Sequence, residues 1–399
     1  MPSILIVSHT HLCRNPRVLK EAKALDNAGF CVKILTAIYS DELLKEDRTL
    51  LADTKIIYSF YSDLRDNSGN SFLDRLVKKA ATTLLSKYSI ESKYSLGYGA
   101  SRLKKLCIKE QADLYIMHQE LPTVIGTELL DCGHPVAFDI EDYYSEDLLD
   151  SVRKSRPIKL LKIAEQKALN KGLYTITTSD ALAQHLFTAY GGKKPAVVRN
   201  VFPLDNKEMS FKTYEPKRLY WFSQTIGPGR GLELLVEALN LVEPPLEIHL
   251  RGNEVPGYIN TLKEKLPTRH SLKTHPLASN EKLTPDMENY DIGLALEPME
   301  PLNKLLTTSN KLFHYLCGGL PVIVSPTLGQ KEIMDLQDNK CIFSFRTESA
   351  KSLAETISAI IQQDLVGYKK FALELAKSRL NWQIEEQKLL NIINTVLKK

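Results

Sequence analysis

The chain has 399 residues, of which 43% are hydrophobic and 25% are charged, and its formal net charge is +4. This length exceeds what one hydrophobic core usually serves, so two domains are expected. The nearly balanced charge does not favour a nucleic-acid binder, and no apolar run approaches the roughly 18 residues of a membrane-spanning helix.

The opening residues, MPSILIVSH, predict a first buried strand. We expect no signal peptide, because they lack a basic segment and a small-residue cleavage site. The six cysteines form no CxxC pair and no metal-like cluster, so we do not expect a disulfide framework. Together these features predict a cytoplasmic protein.

The first half of the chain alternates apolar runs with amphipathic stretches. Residues 17–28 carry apolar side chains at helical spacing and end at Gly29. Helices are also predicted at 123–130 and 181–190. The predicted strands are 3–8, 30–36, 112–117, 135–140, 174–178 and 195–199. This alternation implies a parallel sheet with helices on both faces.

Residues 39–110 do not fit that alternation clearly, and residues 65–110 are locally basic. They hold ten Lys and Arg against four Asp and Glu, with apolar and aromatic residues between them. A solvated helical face is one interpretation. A contact with an anionic membrane surface is the other, and both stay open.

Residues 201–217 are polar, contain two prolines and lack periodicity, so they predict a linker. A second α/β series follows, with strands at 218–222, 246–251, 291–296 and 321–324 and helices at 231–241 and 311–316. The fold class expected is α/β, with two Rossmann-like domains, parallel sheets covered by helices on both faces, and a cleft between the domains. The predicted divisions are 1–200, 201–217, 218–375, and a C-terminal helix, 376–399, that packs back on the N-terminal domain.

A glycine-rich loop follows the first strand of the second series. Its sequence is SQTIGPGRG, and a helix begins near Gly231. Gly229 and Gly231 allow close approach, and backbone N–H groups at a helix N-terminus suit an anionic diphosphate. Arg230 adds a fixed charge with a bidentate fork. The loop therefore predicts a diphosphate site.

Polar residues also follow the strand at 291–296. Glu297 lies where a carboxylate can reach a ribose diol, and Asn310 and Lys311 begin the next helix, where they can meet phosphate or sugar hydroxyls. His314 lies within that helix. A ligand role and a half-buried structural role are both open for it.

Imidazole and carboxylate groups follow neighbouring strands of the first half. At adjacent strand ends such groups can orient an acceptor hydroxyl and the transferring sugar. The candidates are His118 and Glu120 after one strand, and Asp139, Glu141 and Asp142 after the next. His9, Arg14 and Arg17 follow the first strand and suit an acidic or phosphate-bearing acceptor.

Four segments in this order resemble glycosyltransferase family 4: residues 9–35, 199–203, 227–239 and 310–325. The resemblance covers most of the chain. It implies the GT-B fold and transfer of a hexosyl-type sugar from a nucleotide-sugar to a saccharide or lipid-linked acceptor, with retention of configuration. It also implies a setting in surface polysaccharide or glycolipid synthesis, without a cofactor beyond the nucleotide-sugar. We leave open a peripheral position on the inner face of the plasma membrane.

The resemblance assigns roles to residues, and the chain departs from it at two positions. Arg230 matches the basic residue that holds the donor diphosphate, but the place of a second basic residue falls near the neutral Gln224, so Arg251 or Lys311 is expected to supply that charge. The second glutamate of the family's pair is replaced by His314. This departure keeps two alternatives open: a nucleotide-sugar epimerase, and a catalytically silent binding protein.

On the acceptor side the resemblance points to His118 as a contact of the sugar. His118, Asp139 and Glu141 are the expected catalytic residues. No catalytic metal is expected, although the D-x-E spacing of Asp139 and Glu141 leaves a weak metal site open.

Overall fold

A computed structural model describes residues 1–65, 69–204, 209–278 and 280–397. It divides into two compact units. The first consists of Met1–Val198 with Pro301–Asn303 and Glu386–Lys399, and the second consists of Arg199–Glu300 and Lys304–Glu385.

Within the described residues, the first unit contains a parallel sheet of seven strands in the order β3-β2-β1-β4-β5-β6-β7. The strands are β1 Ser3–Val7, β2 Cys31–Ile38, β3 Ile57–Asp63, β4 Leu114–His118, β5 Val136–Ile140, β6 Thr175–Thr177 and β7 Ala196–Val197. The helices up to residue 190 are α1 Pro16–Asn27, α2 Asp41–Leu50, α3 Gly69–Tyr88, α4 Ala100–Glu110, α5 Glu120–Asp131, α6 Ile158–Lys171 and α7 Asp180–Tyr190.

The described part of the second unit contains a parallel sheet of six strands in the order β10-β9-β8-β11-β12-β13. The strands are β8 Lys217–Ile226, β9 Leu246–Glu254, β10 Ser271–His275, β11 Ile292–Ala295, β12 Val322–Val324 and β13 Ile342–Ser344. The helices after residue 230 are α8 Leu232–Leu239, α9 Tyr258–Lys265, α10 Asn280–Asp286, α11 Leu302–Leu306, α12 Asn310–Cys317, α13 Leu328–Met334, α14 Ala350–Ile361, α15 Leu365–Arg379 and α16 Trp382–Leu397.

Both faces of the second sheet are buried, because successive side chains of a strand point to opposite faces. On β8, Leu219 and Trp221 join one apolar cluster with residues of α8 and α14. Tyr220 joins a second cluster, on the other face, with residues of α12 and α15. This arrangement explains why the strands of the sequence are apolar runs rather than alternating ones.

Each sheet reverses its direction of growth once, between β1 and β4 in the first unit and between β8 and β11 in the second. In such sheets ligands bind at the carboxyl ends of the strands beside this reversal. The predicted fold class, two Rossmann-like α/β units with parallel sheets, is confirmed.

Several elements escaped the sequence analysis. The stretch 39–110 holds α2, β3, α3 and α4, and the second sheet has the further strands β10 and β13. Residues 205–208 of the predicted linker lie outside the described residues. The predicted domain limits and the cleft stay predictions. None of the described helices is both long and apolar enough to cross a membrane.

Candidate active site

The glycine loop of the second unit lies directly on the end of β11. Gly231 has φ +80°, and a Cβ at this position would meet Leu296 Cβ at 2.6 Å and the Leu296 carbonyl oxygen at 3.1 Å. Only glycine allows both the backbone conformation and this close approach. Because α8 begins at the next residue, the N-terminus of α8 lies beside Glu297.

Arg230 is exposed in this loop, and its Nη1 donates to Ser223 Oγ at 3.0 Å. The Gly229 N–H donates to Glu233 Oε1 at 3.3 Å, within the first turn of α8. Gln224 is exposed on β8. The guanidinium is therefore held at the surface of the loop by one hydroxyl.

Glu297 is held by cations and hydroxyls at the carboxyl end of β11. Its Oε1 accepts from Ser309 Oγ at 2.7 Å and from Lys311 Nζ at 2.6 Å, and its backbone N–H donates to Ser325 Oγ at 2.9 Å. Lys304 Nζ lies 3.9 Å from Oε2. Burial alone favours the neutral acid, but Lys311 and Lys304 outweigh it and lower the pKa of Glu297 to about 2.

The charges of this edge do not cancel. Arg230, Lys304 and Lys311 are cationic, while Glu297 is the carboxylate that they surround or adjoin. The N-termini of α8 and α12 add partial positive charge at the same edge. The arrangement suits a ligand with more than one negative charge.

Three other predicted donor residues lie in different surroundings. Arg251 donates to Tyr220 Oη at 2.8 Å and to the Pro276 carbonyl, and it forms an ion pair with Asp286. This pairing holds the guanidinium beside β9 and α10.

His314 is 2% exposed, and its ring stacks on Phe202 with centroids 3.5 Å apart. Its Nδ1 lies 3.2 Å from Thr284 Oγ1. Asn310 is exposed at the start of α12 and accepts from Asn200 Nδ2 at 3.2 Å.

In the first unit His118 ends β4 and is fully buried. Its Nε2 lies 2.6 Å from Glu21 Oε2, its Nδ1 lies 2.9 Å from Glu141 Oε1, and Asp139 is 3.6 Å away. Burial alone favours the neutral ring, but these three carboxylates outweigh it and raise the pKa of His118 to about 10. The ring is therefore an imidazolium at neutral pH.

Arg17 completes this buried network. Its Nε and Nη2 donate to the two oxygens of Asp139 at 2.5 and 3.0 Å, and its Nη1 donates to the Val198 carbonyl at 2.7 Å. Burial raises the pKa of Asp139 against the opposing effects of Arg17 and His118. Burial would also raise the pKa of Glu141, but the hydrogen bond and the charge of His118 lower it.

Glu21, His118 and Asp139 each offer an atom with metal-ligand chemistry, and these atoms lie within 4.8 Å of one another. This is the cluster of that kind found among the described residues. The Arg17 fork already occupies both oxygens of Asp139, and its charge repels a cation. The residues therefore fit an ion-pair network better than a metal site.

The partly exposed members of this edge are different residues. His9 Nε2 lies 3.4 Å from Glu120, which also accepts an ion pair from Arg156 at 3.1 Å. Arg14 is exposed, and Asp142 accepts from Asn303 Nδ2 at 2.9 Å. These groups, with the 17% exposed side chain of Glu141, are the ones that can meet an acceptor.

Sequence reasoning missed several members of both clusters. Glu21 follows Arg17 by one turn of α1, and that spacing alone could have indicated it. Asn15 caps α1 and donates to Glu141 Oε1 at 3.1 Å. Ser309 and Lys304 carry no spacing signal, because they reach Glu297 only through the fold.

The whole chain is similar to several solved structures. Anabaena HepE, in complex with UDP and glucose, matches with a TM-score of 0.65 and 17% identity over 99% of this chain and 100% of that chain. Sucrose-phosphate synthase from Thermosynechococcus elongatus matches with a TM-score of 0.68 and 14% identity over 100% of both chains. S. aureus TarM, in complex with α-GlcNAc-glycerol and UDP among its ligands, matches with 0.68 and 11% over 99% and 100%.

No protein-family model matches the sequence, and no curated protein matches it. At these low identities the structural likeness establishes the fold. The chain has the two-unit architecture of the GT-B glycosyltransferases.

Proposed function

We propose that this protein is a glycosyltransferase that moves a sugar from a nucleotide-sugar donor to a hydroxyl acceptor. The donor binds at the carboxyl edge of the second sheet, and the acceptor meets the carboxyl edge of the first. We further propose a hexosyl-type transfer with retention of configuration, in the synthesis of a surface polysaccharide or glycolipid.

One observation carries the donor assignment. Gly231 lies so close to Leu296 that the loop bearing Arg230 and the N-terminus of α8 adjoin the Glu297–Lys311 pair. A nucleoside diphosphate carries the groups that this edge accepts: an anionic diphosphate for Arg230 and the helix N-terminus, and a ribose diol for a carboxylate.

Three similarities support the assignment from outside the chain. HepE was solved with UDP and glucose, and with UDP-glucose, and TarM was solved with UDP. These ligands belong to those proteins, and they indicate the ligand class to test here.

The buried network of the first unit has a positioning role in this proposal. His118 lies between Glu21 and Glu141 without exposed surface, so it fixes the orientation of Glu141. Glu141, Glu120 and His9 then orient the acceptor hydroxyl and the transferring sugar. Arg14 and Arg156 favour an acceptor that carries negative charge.

Incubation with a panel of nucleotide-sugars tests the proposal. The expected result is release of nucleoside diphosphate that depends on an added acceptor. Isomerised donor without release would instead indicate an epimerase. Binding without any turnover would indicate a silent protein, the outcome that the replacement of a second glutamate by His314 would explain.

A further inference from the structure

The outer face of α3 is apolar although it faces solvent. Six large side chains on it are 38–68% exposed: Phe72, Leu73, Leu76, Val77, Leu84 and Tyr88. We call these six residues the α3 face. A helix on a globular protein usually turns its apolar stripe inward. Here the inward positions are the smaller or polar Ser71, Asp74 and Ala81, together with Leu85.

The apolar surface continues beyond the helix. Leu149 and Val152 are each 48% exposed, and they precede a single helical turn, Arg153–Ser155, that packs against α3. Scattered exposed apolar residues need no explanation, but a contiguous group of this kind marks an interaction surface.

The charges around this surface have one dominant sign. Arg75, Lys79 and Lys87 are exposed on α3. Asp74, the one carboxylate among residues 72–88, is buried and is held by Ser62 Oγ at 2.7 Å and by Arg102 at 3.1 Å. On the neighbouring turn, Asp150 lies 3.8 Å from Arg153. A basic helix with Phe, Leu and Tyr on its exposed face is typical of a segment that lies in a membrane interface.

This surface adjoins the acceptor edge of the same unit. The Lys78 ammonium lies 4.3 Å from the centre of the Tyr98 ring. Burial lowers the pKa of Lys78, and the charge of Glu120 opposes this shift, so α3 lies within electrostatic range of the His9–Glu120 pair. A partner seated on the α3 face is therefore close to the groups expected to orient an acceptor.

We propose that the α3 face, with Leu149 and Val152, docks on a bilayer that contains anionic lipid. The apolar side chains enter the interface, and Arg75, Lys79 and Lys87 contact the headgroups. The inference rests on the proposed function only for its consequence, which is that the acceptor is an amphiphile held in that bilayer.

Vesicle flotation tests the docking directly. The full chain is expected to bind vesicles of phosphatidylcholine mixed with phosphatidylglycerol, and binding is expected to fall as salt rises from about 0.05 to about 0.5 M, because screening shortens the range of exposed charges. The combined substitution Phe72→Ser, Leu76→Ser and Tyr88→Ser should weaken binding at least tenfold. Leu241→Ser, at a 56% exposed leucine of the second unit, is the matched control and should change nothing.

The charge contribution has its own matched pair. Lys79→Gln with Lys87→Gln should weaken binding to anionic vesicles, whereas Lys351→Gln with Lys370→Gln, at two exposed lysines of the second unit, should not. All variants should keep their affinity for nucleoside diphosphate, so a failed docking site is distinguishable from a failed donor site. If the triple variant loses its thermal transition, Phe72→Ser alone replaces it, with a smaller expected loss.

Three results would overturn the proposal. The first is no vesicle binding by the wild-type chain, and the second is equal binding to neutral and anionic vesicles. The third is concentration-dependent self-association that the same substitutions abolish, without vesicle binding, because the α3 face would then contact a second copy of the chain.

Discussion

His118 and Glu297 are buried ionisable groups at the carboxyl edges of the two sheets, and both are held charged by their neighbours. For His118 the neighbours are Glu21, Asp139 and Glu141. For Glu297 they are Lys311 and Lys304. In each case the opposite charges outweigh the cost of burial, so removing the group leaves its partners buried and unpaired.

The protonation state of His118 is a direct test of this network. At pH 8 both ring nitrogens should carry protons, because the pKa is raised to about 10. Nitrogen-15 NMR of the histidine rings, with the His118 signals assigned by their loss in His118→Gln, measures this. A ring that titrates near its ordinary value of about 6.5 would contradict the network.

The same charge predicts how stability depends on pH. Because the folded pKa lies above the unfolded one, the stabilisation is complete below about pH 6.5 and is lost as pH rises through about 10. His118→Gln should cost about 3–5 kcal/mol at neutral pH, the scale of breaking a buried ion pair. Urea unfolding should show this difference shrinking between pH 7 and 10. A constant difference would assign the loss to packing alone.

Glu297 has a role that separates two parts of the ligand. Glu297→Gln should weaken nucleoside diphosphate about tenfold, or about 1.4 kcal/mol, because a ribose diol loses its carboxylate. Affinity for inorganic diphosphate should not fall, since the cations that surround Glu297 remain. Calorimetry with both ligands measures this, with the exposed Glu264→Gln as control. Equal losses for both ligands would reject a ribose role.

At the scale of elements, the glycine loop owes its place to a single close approach. Gly231 and Gly229 both have positive φ, at +80° and +72°, but a Cβ would collide with Leu296 only at Gly231 and would meet nothing within 4 Å at Gly229. The two positions therefore separate backbone conformation from packing.

Gly229→Ala should cost about 1–2 kcal/mol of stability from the left-handed backbone alone. Gly231→Ala should cost more, and it should also lower nucleoside-diphosphate affinity, because the loop and the start of α8 must move away from β11. Urea unfolding and calorimetry on the two variants measure both effects. Identical behaviour would mean that the contact with Leu296 does not position the loop.

Apolar periodicity and turn residues were enough to predict the strands that form the centre of each sheet, including β1, β4, β8 and β11. They were not enough for residues 39–110, because α3 exposes its apolar face and so lacks the expected inward pattern. The order of motifs pointed to Arg230, Glu297 and Lys311, but Glu21 and Ser309 enter through contacts between elements distant in sequence. No spacing rule encodes such contacts.

At the scale of the whole chain, the first unit includes residues from the C-terminal end, since Glu386–Lys399 belongs to it. Leu389 and Ile393 of α16 are 1% and 0% exposed. Replacing either with alanine should cost about 2–5 kcal/mol, the range for large buried aliphatic residues, and should lower the thermal midpoint measured by circular dichroism.

Nucleoside-diphosphate affinity at room temperature should survive those two replacements, because the donor residues lie in the second unit. A parallel loss of affinity in a folded Leu389→Ala variant would show that the donor site depends on the first unit's packing.

The central claim is that Arg230 and its glycine loop bind the diphosphate of a nucleotide-sugar. Calorimetric titration with a panel of nucleoside diphosphates tests it most directly, followed by repetition of the tightest ligand with Arg230→Ala. The account predicts saturable binding and a loss of about 1.5–3 kcal/mol in the variant, the scale of a hydrogen bond to a charged group. The control, Arg379→Ala, removes a 42% exposed arginine paired with Asp338 and should leave affinity unchanged. An unchanged affinity in a folded Arg230→Ala protein, or no binding of any nucleoside diphosphate by the wild-type chain, would contradict the account.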